Sequence, residues 1–112
     1  MRKFIINNDD LILGDVEFHE DLICKGRERK ETVGGGRWHF DRVKNVIFFW
    51  GASTDFGQVT QKQFEYAFKQ PSVEQAETFF SLNTDFVDVL KEYEIFCNKK
   101  KIVSYNKKKR HE

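Results

Sequence analysis

At 112 residues the chain has room for one domain with one core, and its 12 phenylalanines and single proline exclude a disordered or fibrous class. The longest apolar run, Val46 to Trp50, is far short of the roughly 20 residues that span a bilayer. The formal charge of +1 conceals an asymmetry: residues 99–112 carry seven of the 19 basic and one of the 18 acidic side chains, so that end stands at +6 and the rest at −5.

The opening Met1-Arg2-Lys3-Phe4 leads into Asn7-Asn8-Asp9-Asp10 without the apolar segment of a signal peptide. Phe4 to Ile6 reads as a short strand, and Asn7 to Asp10 as the turn closing a hairpin, because Asn and Asp tolerate left-handed backbone. A second strand is expected from about Leu11 to His19. Its second half alternates, with Asp15, Glu17 and His19 on one face and Val16 and Phe18 on the other. Asp21 to Cys24 reads as a turn or short strand, and the polar stretch Lys25 to Thr32 as a surface loop running into Gly34-Gly35-Gly36.

Arg37 to Val43 alternates again: Trp38 and Phe40 share one face, Arg37, His39 and Asp41 the other. A polar break at Arg42 to Asn45 precedes Val46 to Trp50, whose unbroken apolar character suits a central strand covered on both sides. The run from Gly34 to Trp50 is therefore a hairpin with a flexible glycine lead-in, or with glycines where a neighbouring aromatic comes close to the backbone. Gly51 to Gly57 is a loop of turn-forming residues. Thr60 and Gln63 form a capping box that opens a helix bearing Phe64, Ala67 and Phe68. Pro71 and Ser72 stop it. After them, either Ser72 and Gln75 cap a short helix or Thr78 to Leu82 forms an edge strand. Thr84 caps a further helix with an apolar stripe of Phe86, Val89, Leu90, Tyr93, Phe96 and Cys97. The expected fold is α+β: an antiparallel sheet of about four strands in the N-terminal half, then two to three helices packed on one sheet face. Residues 1–97 form the domain, and residues 98–112 a flexible basic tail.

Four features carry possible chemistry. If the Leu11–His19 and Arg37–Val43 strands are neighbours, Asp15, Glu17 and His19 approach Arg37, His39 and Asp41. His19, His39, Asp41 and Glu17 then become candidates for acid–base catalysis, and Asp15, His19 and His39 for a zinc or manganese site. The plainer reading is a solvated sheet face with cross-strand ion pairs, and spacing by two residues is no metal signature. The triple glycine precedes a strand and is followed by no Gly-Lys-Ser/Thr, so a nucleotide loop is disfavoured and no cofactor is expected. Asp55-Phe56-Gly57 matches a kinase triplet in letters alone and reads as a turn. The tail offers Lys99, Lys100, Lys101, Tyr105, Lys107, Lys108, Lys109 and Arg110 to nucleic acid, against the plainer reading of a solubilising terminus. Cys24 and Cys97 match no zinc or redox spacing, which suits a reduced, cytoplasmic protein without a membrane partner.

The segments Gly34-Gly35-Gly36-Arg37-Trp38-His39-Phe40-Asp41, Phe49-Trp50-Gly51 and Ser53-Thr54-Asp55-Phe56-Gly57 resemble a pattern found in small uncharacterised bacterial proteins. The resemblance covers about the middle third of the chain and departs in the segment after Pro71. It implies a bacterial cytoplasmic source and, because those proteins have no assigned activity, no catalytic residues. The expected function is a non-catalytic binding or regulatory module that meets a protein partner through its sheet surface or glycine loop. The alternatives are a metal-dependent enzyme on the His19/His39 face and nucleic-acid binding through the tail.

Overall fold

The structure, a computed structural model, describes residues 1–68 and 76–111, with residues 101–111 as backbone only. Strands β1 (Arg2–Asn7), β2 (Asp10–Asp15), β3 (Thr32–Asp41) and β4 (Val46–Trp50) are followed by helix α1 (Gln61–Ala67), strand β5 (Glu77–Phe80) and helix α2 (Phe86–His111). One five-stranded sheet has the order β2-β1-β3-β4-β5. The first four strands pair antiparallel and β5 runs parallel to β4. The α+β expectation holds, but the sheet is mixed rather than antiparallel. Of the two readings offered after Pro71, the edge strand is present, at Glu77–Phe80. Pro71 and the Ser72/Gln75 cap lie outside the described residues.

The first hairpin turns on Asn8 and Asp9, both left-handed at φ 48° and 65°, as a two-residue type I′ turn requires. Asn7 belongs to β1 instead of the turn. Fully buried, its amide donates to Glu28 O at 2.8 Å and Thr32 Oγ1 at 2.9 Å. Arg27 reaches Asn7 O at 3.1 Å and Asp10 at 2.9 Å, so the polar 25–32 stretch is tied to the hairpin.

The expected strand from Leu11 to His19 ends early, at Asp15. The ladder with β1 stops at the Arg2–Asp15 pair, which leaves residues 16–19 no strand to continue on. The chain turns over the sheet instead, and His19–Leu22 forms a 3-10 turn started by Phe18 N donating to Asp21 Oδ2 at 3.2 Å. Alternating polarity there reflects a crossing of the sheet, not membership in it.

The two helices cover opposite faces, correcting the expectation of one. On one face Phe4, Ile6, Ile47 and Phe49 bury against Val59, Phe64 and Ala67, with Trp38 and Phe40 packed at the margin. Phe49 and Phe64 lie 5.0 Å apart and Phe64 stacks on Phe80 at 4.5 Å. The Thr60–Gln63 capping box that opens α1 is present, with reciprocal bonds of 2.9 and 3.1 Å. On the other face Val46, Phe48, Trp50 and Phe79 bury against Val89, with Phe86 and Tyr93 beside them. The cap of α2 is Asp85, whose carboxylate accepts from Val87 N at 2.8 Å; Thr84, the expected cap, lies one residue outside. All five β4 residues are buried, as expected of a strand covered twice. Beyond the sheet, α2 continues through the expected boundary at residues 97–98 to His111, a length of about 39 Å at 1.5 Å per residue.

Gly34, Gly35 and Gly36 are neither a lead-in nor a loop. They lie inside β3 and are buried. Here β3 runs between β1 and the segment at Gly57–Gln58, with Gly35 N donating to Gly57 O at 3.1 Å. A Cβ on Gly36 would strike the Trp50 carbonyl oxygen and lie 2.7 Å from the Phe4 ring. On Gly35 it would lie 2.5 Å from Phe4 O and 2.9 Å from the His19 ring. The close-approach reading of the tract is the one the fold uses, and it operates on both faces.

Because a carbonyl oxygen cannot yield as a side chain can, Gly36→Ala is expected to destabilise by about 3 kcal/mol. Gly26→Ala, with no atom within 4 Å of its Cβ but a φ of +92°, should lose only about 1 kcal/mol. Urea unfolding of both variants checks this, and equal losses would contradict the packing role of the tract.

Candidate functional site

The α2 face of the sheet is covered in two patches. The turn at His19–Leu22 lies over β1 and β2, and α2 lies over β4 and β5. Between them opens a cleft of about 370 Å³, walled by Lys3, Glu17, His19, Arg37, Thr54 and Asp55.

Its floor is set by strand register. Lys3 of β1 and Arg37 of β3 are direct cross-strand partners, an arrangement in which like charges repel. Neither cation is ion-paired to an acid among the described residues. Lys3 Nζ donates to the backbone carbonyl of Glu17 at 2.5 Å, and Arg37 makes no side-chain hydrogen bond or ion pair among the described residues. The far wall is the Gly51–Gly57 loop, closed on itself by Ser53 N to Gly57 O at 3.0 Å and Gly57 N to Ser53 O at 2.8 Å. Phe56 N also donates to Ser53 Oγ at 3.2 Å. This tight loop leaves Thr54 and Asp55 exposed over the cleft.

His19 is the buried member, 8% exposed, seated on the space that Gly35 leaves. Its Nε2 lies 2.9 Å from Gly36 O. A carbonyl oxygen only accepts, so Nε2 carries the proton and the ring holds one tautomer. Burial pushes its pKa below the ordinary imidazole value, with the Lys3 and Arg37 cations acting in the same direction and the Gly36 carbonyl and Asp55 opposing. His19 is therefore a neutral hydrogen-bond donor at pH 7, holding the turn down on β3.

Of the expected polar constellation, the fold brings together Glu17, His19 and Arg37 and separates the rest. The neighbouring-strand premise is corrected: β1 stands between β2 and β3. Asp15 sits at the end of β2 and pairs with the Met1 amino group at 2.7 Å, which holds its carboxyl below the usual range. Asp41 accepts from Lys44 N at 3.0 Å and closes the β3–β4 turn. His39 is half-buried with its ring edge-on to Phe86 at 5.6 Å. The Arg37–His39–Asp41 face is thus not open to water along its length, since α2 covers part of it. Trp38 and Phe40 share one face as expected, the face that α1 covers. Among the described residues no group of three or more His, Cys, Asp and Glu is placed to hold a metal ion.

Lys3 and Asp55 were not legible as site residues. The signal for Lys3 is its place two residues before buried Ile5 on the same strand face, which becomes informative only with the β1–β3 register. A second, more apolar cleft of about 270 Å³ lies on the other side of Arg37, among Met1, Arg2, Trp38, His39, Trp50 and Phe86. The Arg2 guanidinium covers the Trp38 ring at 5.4 Å.

In the basic stretch Lys100 folds back, pairing with Glu77 at 3.0 Å and lying 4.5 Å above the Phe96 ring, while Lys99 is exposed. The side chains of Lys101, Tyr105, Lys107, Lys108, Lys109 and Arg110 lie outside the described residues. Cys24 and Cys97 are both free thiols. No described helix is long and apolar enough to cross a membrane.

The depressed pKa of His19 has a sign in solution. The unfolded chain takes up the proton first, below about pH 6.5, so stability is lost as pH falls through that value towards the folded-state pKa. Thermal unfolding between pH 7.5 and pH 5 should show this loss, reduced in His19→Gln, which cannot take up the proton. An NMR titration placing the His19 pKa above the unfolded value would contradict it.

No protein-family model, curated protein or solved structure matches this chain.

Proposed function

We propose that the chain is a non-catalytic binding module whose working surface is the Lys3–Arg37 cleft, and that the cleft takes an acidic group of a partner protein. One observation carries this reading: two cations stand directly opposite each other on adjacent strands, with no acid ion-paired to either among the described residues, in an open depression. Cross-strand repulsion of this kind costs roughly 0.2–1 kcal/mol, and a sheet surface chosen for stability alone would place an acid at one of the two positions. A carboxylate from outside supplies the missing partner, and the planar guanidinium of Arg37 meets it with two parallel N–H donors.

The glycine loop has no part in this proposal, because the tract is buried strand. The enzyme alternative needs His19 and His39 together. They sit on different patches of the sheet, one bonded to Gly36 O and the other against Phe86. His19 also spends its proton on a backbone carbonyl, an anchoring use that leaves Nε2 unavailable to a substrate.

Arg37→Ala tests the trade between stability and binding. It should leave stability unchanged or raise it by up to about 1 kcal/mol in urea unfolding. In NMR titrations with N-acetyl-glutamate α-amide, whose one carboxylate is the side chain's, amides of residues 17–19 and 52–55 should shift saturably in the parent protein, less so at high salt, and not in the variant. Absence of saturable shifts in the parent, or identical shifts in Arg37→Ala, would reject the cleft as the binding surface.

A further inference from the structure

Resting on that reading, we infer that the group recognised is the C-terminus of a partner chain, its α-carboxylate held between Lys3 and Arg37 and the apolar side chain of its last residue lying in the second cleft, against Trp50 and Phe86. The geometry that points there is the sharing of Arg37. The two clefts diverge from this one side chain, polar on one side and apolar on the other. A terminal residue has the same divergence, because its carboxylate and its side chain leave from a single α-carbon. An internal Asp or Glu does not: its carboxylate ends its own side chain, and any apolar neighbour starts from another residue.

Charge narrows the group further. Glu17 and Asp55 line the polar cleft with Lys3, His19 and Arg37; among the described residues they are ion-paired to neither cation, and they add negative charge at its rim. Such a wall accepts a single negative charge and opposes a phosphate dianion. Exposure narrows the source. Small-molecule sites bury most of their ligand, whereas Glu17, Arg37, Thr54 and Asp55 all stand exposed on the cleft rim, which leaves the rest of a peptide in solvent. The apolar cleft, about 270 Å³, takes one large side chain, with the Trp50–Phe86 stack at 4.3 Å as its wall.

Four probes, N-acetyl-phenylalanine, N-acetyl-glycine, N-acetyl-phenylalaninamide and free phenylalanine, separate the parts of this inference. N-acetyl-phenylalanine should bind at least about tenfold more tightly than N-acetyl-glycine and shift the Trp50 indole N–H resonance, which N-acetyl-glycine leaves in place. The amide should not bind, and Arg37→Ala should lose binding of both acids. Equal affinity for the glycine and phenylalanine acids, binding of the amide, or tighter binding of free phenylalanine than of its N-acetyl form would each overturn a peptide terminus as the ligand. If N-acetyl-glutamate α-amide binds while N-acetyl-phenylalanine does not, this inference falls and the acidic-group reading survives; if neither binds, both fall.

Discussion

The side-chain-free stretch of β3 is the constraint on which the other features of this molecule rest. With Gly36 in register with Phe4, the Phe4 ring packs over Gly36 on the α1 face and joins Phe49 and Phe64. With Gly35 beside it, the His19 ring settles onto the opposite face and reaches the Gly36 carbonyl. Two neighbouring residues thus admit two rings from two sides: a Cβ on Gly36 would meet the Phe4 ring, and one on Gly35 the His19 ring. Glycine weakens a strand by its backbone entropy. Here that loss is offset by a buried aromatic cluster on one side and an anchored turn on the other.

The cleft is a consequence of that seating. The 16–24 segment, held down at His19, covers β1, β2 and the Gly35–Gly36 part of β3, and α2, held by Val89, Phe86 and Tyr93, covers β4, β5 and His39 of β3. The sheet between them is left to the residues that alternate outward there, Lys3 and Arg37. A further set of bonds ties the walls together: Gln58 Nε2 donates to Leu82 O at 2.6 Å, Gly51 N donates to Asn83 O at 3.0 Å, and Glu92 accepts from both Ser81 and Asn83 at 2.6 and 2.7 Å. The loop bearing Asp55 and the start of α2 therefore share one scaffold, as precise placement of opposed groups requires.

Much of the fold was written in local pattern. The Asn8-Asp9 turn, the β3–β4 hairpin, the twice-covered β4 and the Thr60–Gln63 cap each depend on residues within a few positions of one another, and each is present. What the pattern could not supply was pairing between distant segments. Val16 to His19 alternates as well as any strand, yet no partner strand extends beside it. β5 is short and parallel to β4, so it has no hairpin partner to announce it. The apolar residues of α1 and α2 do not reveal which sheet face each will cover. The site suffered most from this. Asp15, Glu17 and His19 look like one face only while they are imagined on one strand, and Lys3 gains meaning only once it is known to lie opposite Arg37. The triple glycine was legible as a place of close approach, but the His19 ring on its second face was not.

The account depends most directly on His19 standing as a neutral ring with its Nε2 proton held by Gly36. Long-range nitrogen–proton NMR correlation on the two imidazole nitrogens reports this at pH 7. The predicted spectrum has a single tautomer protonated at Nε2, with that proton slow to exchange with solvent. A ring protonated at Nδ1, or one averaging between tautomers in fast exchange, would mean that His19 does not rest on the glycine strand, and the cleft it helps to wall would lose its basis.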